Sequence, residues 1–191
     1  MASPYEGQPV AAWRDTTLRL VEAHPLATSV LREAVLEAWE EIYRSRVGSL
    51  QIGKDIFPTP QIMATFLHEL IPIEVGRRVP GWRRGSRTEK DLYCEHGPAL
   101  SIEIKTSSSP GGIFGNRSYG QEPTSEKGEK AGYYLAVNFG KWPKAGDTRP
   151  EVQRIRFGWI DKADWIPQEA PTGQAAPLSR DARDHKLIDI L

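Results

Sequence analysis

KDLYCEHGPALSIEIKTS, residues 90–107, reads as two short strands joined by a turn. His96-Gly97-Pro98 is the turn signal, because glycine and proline punctuate regular structure. From Leu100 to Lys105 apolar and polar residues alternate with period two, the mark of a strand with one buried face. Leu100, Ile102 and Ile104 therefore point one way, and Ser101, Glu103 and Lys105 the other. Asp91 opens the preceding strand, so the hairpin predicts that it lies beside Glu103 and Lys105. Two carboxylates can hold a hard divalent cation, and an ammonium group can sit next to the water that the cation polarises. That combination suits hydrolysis of a phosphodiester.

Charge distribution points the same way. The chain has 191 residues and zero formal net charge. Residues 1–76 carry 6 basic and 10 acidic side chains, residues 77–117 carry 8 and 4, and residues 118–191 carry 11 of each. The basic excess thus surrounds the constellation, through Arg77, Arg78, Arg83, Arg84, Arg87 and Lys90. Phosphate binding draws on such a local patch and not on the overall pI. The plain alternative is a solvated arginine-rich loop.

Length and composition fit a single α/β domain over residues 1–191 with a real core. No stretch approaches the roughly 20 apolar residues that cross a bilayer, and the N-terminus lacks the pattern of a secretory signal. Cys94 is the sole cysteine, which excludes an internal disulfide and fits a reducing cytoplasm.

Outward from the hairpin, periodicity predicts a short helix over 16–23 and a stronger one from Thr28 or Ser29 to about Arg46. The latter has Leu31, Val35, Ala38, Trp39 and Ile42 on one face. Thr59-Pro60 opens a third helix, 61–70, followed by an extended segment 71–79 and a basic loop 80–90. Residues 133–139 and 155–160 read as buried strands, and 179–190 as a C-terminal helix. The order implies an α/β fold with a mixed central sheet flanked by helices.

A Glu-x-Lys pair alone is weak, since a chain of this composition contains about one by chance. Asp184-His185-Lys186 is such a decoy, placed on an expected helix where i and i+2 do not face each other. The 103–105 pair differs in lying mid-strand after an aspartate. The competing account is a cross-strand salt bridge on a solvated hairpin. If the set is catalytic, Asp91 and Glu103 hold Mg²⁺ with the Ile104 carbonyl as a third ligand, and Lys105 serves the attacking water. Glu37 or Glu41 of the long helix is a candidate for a second metal, although a solvated helix face explains both.

An aspartate, a hairpin and then Glu-x-Lys resembles the PD-(D/E)xK nuclease superfamily, in particular its type II restriction endonucleases. Within that group the chain is most similar to the ScaI-type enzymes. The similar segments are Glu103-Ile104-Lys105-Thr106-Ser107, Asn116-Arg117-Ser118-Tyr119, Thr172-Gly173-Gln174 and Lys186-Leu187. One departure is Lys90, where the superfamily often has proline. The resemblance implies the restriction-endonuclease-like core, with catalytic roles on Asp91, Glu103 and Lys105. It also implies a homodimer cutting double-stranded DNA at a short palindromic site, beside a separate protective methyltransferase. In that frame Asn116, Arg117, Ser118, Tyr119 and Gln121 are DNA-contact candidates, being able to bond base edges or phosphates, and Ser107 to Ser109 are candidates for phosphate. Two rivals stay open: a repair or recombination nuclease on the same fold, and a DNA-binding module that does not cleave.

Overall fold

In a computed structural model of the chain, the described residues are 2–119, 130–142, 149–167 and 175–191. Helices α1 (Val10–Glu22) and α2 (Thr28–Arg44) come first, then the small strands β1 (Arg46–Val47) and β2 (Leu50–Gln51) and helix α3 (Pro60–Arg78). Strands β3 (Trp82–Arg84), β4 (Leu92–Cys94), β5 (Ile102–Ser107), β6 (Phe114–Asn116), β7 (Gly132–Phe139), β8 (Val152–Ile160) and β9 (Ala175–Pro177) follow. Helix α4 (Arg180–His185) and strand β10 (Leu187–Asp189) end the chain. The main sheet is six-stranded in the order β10-β8-β7-β5-β4-β3. Only β5 and β7 run parallel; the other pairings are antiparallel. The expected mixed α/β architecture is therefore present, consistent with a restriction-endonuclease-like fold.

Every residue of β7 is buried, as expected of a strand covered on both faces. Tyr133, Leu135, Val137 and Phe139 join the core shared with Leu31, Val35, Ala38, Trp39 and Ile42 of α2 and Leu67, Ile71 and Val75 of α3. Tyr134 and Ala136 face a second cluster with Tyr119, Trp165, Leu178 and Ala182. Parallel register aligns Glu103 with Tyr134 and Lys105 with Ala136. The two polar residues of β5 therefore lie on the face of the second cluster, and Ile102 and Ile104 on the helical core side. The period-two reading holds from Ile102 to Lys105; Leu100, expected to open the strand, instead ends a 3₁₀ turn, Pro98–Leu100.

Helix α1 starts at Val10, six residues before the expected 16, and three further elements differ in kind. Helix α3 runs on through Pro72 to Arg78 instead of yielding to an extended segment. Proline removes one helical bond, the one to the His68 carbonyl, but burial of Leu67, Ile71, Pro72 and Val75 outweighs it. The basic segment 80–90 contributes edge strand β3, whose Arg83 and Arg84 point into solvent; charge on an edge strand discourages pairing with other chains. The C-terminal helix stops at His185, and β10 pairs with β8. That approach needs Gly158, since a Cβ there would lie 2.1 Å from the Lys186 carbonyl. No helix among the described residues is long and apolar enough to cross a membrane.

His24 closes the core between α1 and α2. It is 5% exposed and edge-on to Tyr133 and Phe157. Its Nδ1 accepts from the Leu26 N–H at 3.3 Å, so Nε2 donates to the Leu100 carbonyl at 3.0 Å. Burial pushes the imidazole pKa below its usual value against the pull of these two backbone bonds. The unfolded chain therefore takes up the proton first, and stability falls as pH drops below about 6.5 toward the lowered folded value. Thermal melts are expected to show a fall in Tm below pH 6.5 that is smaller in His24→Leu; an equal slope in both would place the titration elsewhere.

Candidate active site

The site is made where β4 leaves β5. These strands pair only at Leu92↔Ile102, and beyond that point side chains replace the ladder. On one side the Ser101 hydroxyl accepts from the Cys94 N–H at 3.0 Å. On the other, Asp91 Oδ2 accepts from the Ile104 N–H at 2.7 Å. In an extended strand the N–H and C=O of one residue share an edge. The Ile104 carbonyl thus faces the same opened flank, next to Asp91.

Glu103 and Lys105 converge there. Lys105 Nζ donates to Glu103 Oε1 at 2.6 Å, with the two side chains 14% and 18% exposed. The Tyr119 hydroxyl donates to the same oxygen at 2.5 Å. His68 of α3 brings Nδ1 to 3.5 Å from Asp91 Oδ2. Burial raises the Asp91 pKa, but the His68 bond and charge, the Lys105 charge and the Ile104 N–H outweigh it and hold the carboxyl below its usual range. Burial, with the Glu103 charge added, pushes the Tyr119 phenol far above its ordinary range, so it stays a donor. A cleft of about 1480 Å³ opens over Asp91, Glu103 and Lys105, bordered by His68, Arg84, Arg87, Lys90, Asn116 and Ser118.

The donor set suits a hard cation. Among the described residues, the hydrogen bonds to these carboxylates fall on Asp91 Oδ2 and Glu103 Oε1. Within the described residues that leaves Asp91 Oδ1, Glu103 Oε2 and the Ile104 carbonyl as oxygens that could hold a metal. No group of three His, Cys, Asp or Glu side chains is gathered for a metal among the described residues. Two carboxylates with water and substrate oxygens match the habit of Mg²⁺.

A family model for the ScaI restriction endonucleases matches residues 3–191. The chain belongs to the ScaI restriction endonuclease family. The Type II restriction enzyme ScaI of Streptomyces caespitosus is 44% identical over 191 residues, covering 98% of this chain and 84% of that protein.

For a member of the ScaI family, the remaining candidates divide as follows. Asn116 is exposed at the end of β6, Arg117 and Ser118 are half-buried, and Tyr119 is buried. Gln121 and Thr172 to Gln174 lie outside the described residues. Glu37 and Glu41 both bind Arg44 of their own helix and do not border the cleft. The basic patch is partly neutralised: Glu74 binds Arg77 and Arg78, and Glu89 holds Arg83 bidentately. Arg84 pairs with exposed Glu69, a contact worth little in water. The sequence carries no signal for His68 at Asp91, because a lone His-Glu on a helix has no local pattern that points to a carboxylate 23 residues away.

Proposed function

We propose that this chain is a type II restriction endonuclease. It hydrolyses phosphodiester bonds of double-stranded DNA at a specific, palindromic site, with Mg²⁺, as a homodimer in the bacterial cytoplasm. The observation that carries the reading is the meeting of Asp91, Glu103 and Lys105 in one open cleft of a ScaI-family chain. Asp91, Glu103 and the Ile104 carbonyl would hold the metal, which when bound polarises water and offsets phosphate charge. Lys105, now paired to Glu103, has a donor to place on the attacking water or a phosphate oxygen and a charge to set against the pentavalent phosphate. Arg84 and Arg87 border the cleft and supply salt-sensitive affinity for the DNA backbone. Asn116, Arg117 and Ser118 are the base-contact candidates, because amide and guanidinium groups match purine edges bidentately. A two-fold dimer would set one such cleft on each strand of a palindrome.

Incubating the protein with a plasmid of known sequence tests this. Reproducible discrete fragments are expected with Mg²⁺ and none with chelator. Intact DNA from several plasmids of varied sequence would overturn the reading.

A further inference from the structure

The metal-side carboxylate does not set its own orientation. Glu103 projects from the sheet on rotatable bonds, and among the described residues the two donors that restrain it, Lys105 and Tyr119, act on Oε1. One is its neighbour Lys105; the other, Tyr119, arrives 16 residues later in the chain. Tyr119 is 4% exposed and its ring meets Trp165 edge-on at 4.9 Å between centroids. Its face carries the ammonium groups of Lys105 at 4.6 Å and Lys130 at 4.3 Å, within reach of cation–π attraction. Gly115 admits the ring, since a Cβ there would stand 2.6 Å from the Tyr119 Cγ. A buried tyrosine needs a partner for its hydroxyl, but an ordinary structural partner is a backbone carbonyl. Here it is a carboxylate of the candidate active site.

We propose that Tyr119 is a positioning residue for the metal site. Its hydroxyl locks Glu103 through Oε1 and so presents Oε2 to the cation, while its ring steadies Lys105. The same residue ends the 3₁₀ turn Arg117–Tyr119, directly after Asn116. The seating of DNA on 116–118 is thereby carried to the carboxylate that holds the metal. This inference rests on the endonuclease reading, which supplies the metal and the DNA.

Tyr119→Phe keeps the ring and removes only the donor. Loss of a group that orients a metal ligand costs about 10- to 100-fold in metal affinity or activity. Mg²⁺ binding should be titrated calorimetrically into the protein bound to its mapped site, with an uncleavable linkage at the cut position. Affinity is expected to fall about 10- to 100-fold, with a matching fall in kcat on cleavable DNA and an unchanged KM for DNA. Wild-type Mg²⁺ affinity in Tyr119→Phe overturns the proposal, even if Tm drops, because a merely structural tyrosine would lower stability alone. Failure of the unaltered protein to cut DNA would strike the endonuclease reading instead.

Discussion

Glu103→Gln is expected to slow cleavage by about 10²- to 10³-fold while leaving site-specific DNA binding intact. The amide keeps the shape of the side chain and an oxygen for Lys105 and Tyr119, so the fold around β5 is preserved. It removes the negative charge that a divalent cation needs. A metal at such a site stabilises the transition state by several kcal/mol, and each 1.36 kcal/mol is tenfold in rate. Losing about 3–4 kcal/mol of that effect gives the stated range. Single-turnover cleavage of a preformed complex reads the chemistry, and gel-shift titration reads the binding. Lys105→Ala should fall by a similar factor, since the proposed mechanism sets its charge against the phosphate. A Glu103→Gln protein that cuts within tenfold of the parent would remove Asp91/Glu103/Lys105 from the mechanism.

Lys186→Ala should be the most destabilising single change considered. Lys186 is 3% exposed and binds Asp161 at 2.8 Å and Asp164 at 2.9 Å. Its ammonium also lies 4.3 Å from the Tyr5 ring centre and 4.2 Å from that of Trp13. Removing the cation strands two nearly buried carboxylates, and breaking such a pair costs about 3–5 kcal/mol. Urea denaturation at neutral pH should register a loss of that order. Burial already holds the Asp164 pKa above its usual value, against the opposing pull of Lys186. In the variant that opposition is gone. A carboxyl raised in the folded state is least costly below its unfolded value and most costly above its folded one. The deficit should therefore shrink as pH falls toward about 4. A pH-independent loss below 1 kcal/mol would show that these carboxylates find other partners.

Much of the candidate site's geometry was legible because Glu103 and Lys105 sit on one strand. Alternation from Ile102 to Lys105 showed which side chains share a face, and the turn signal of histidine, glycine and proline implied that Asp91 lies alongside. The α2 stripe, the proline start of α3 and the continuous apolar run of β7 were legible for the same reason: each is a local period. What local pattern does not carry depends on distance. Pro72 looks like a helix end until Leu67, Ile71 and Val75 are seen buried behind it. Trp82-Arg83-Arg84 is too short and too charged to read as a strand without β4 beside it. Lys186 and Leu187 leave their helix because Gly158, far upstream, makes room for their backbone. His68 reaches Asp91 from α3, and Tyr119, expected at the DNA, instead meets Glu103 from the turn after β6; no spacing in the sequence joins either to its carboxylate.

The opened flank of β5 leaves one further mark. Most sheet amides are shielded from solvent exchange by a neighbouring backbone, and their shielding reports how often the whole sheet opens. The Ile104 amide is shielded instead by the Asp91 carboxylate. Its deuterium uptake and proton shift therefore report the state of one acidic side chain. In Asp91→Ala that single amide should lose protection while Leu135 and Phe157, deeper in the sheet, keep theirs. Ile104 is thus a native spectroscopic gauge at the centre of the candidate site, readable without substrate or turnover.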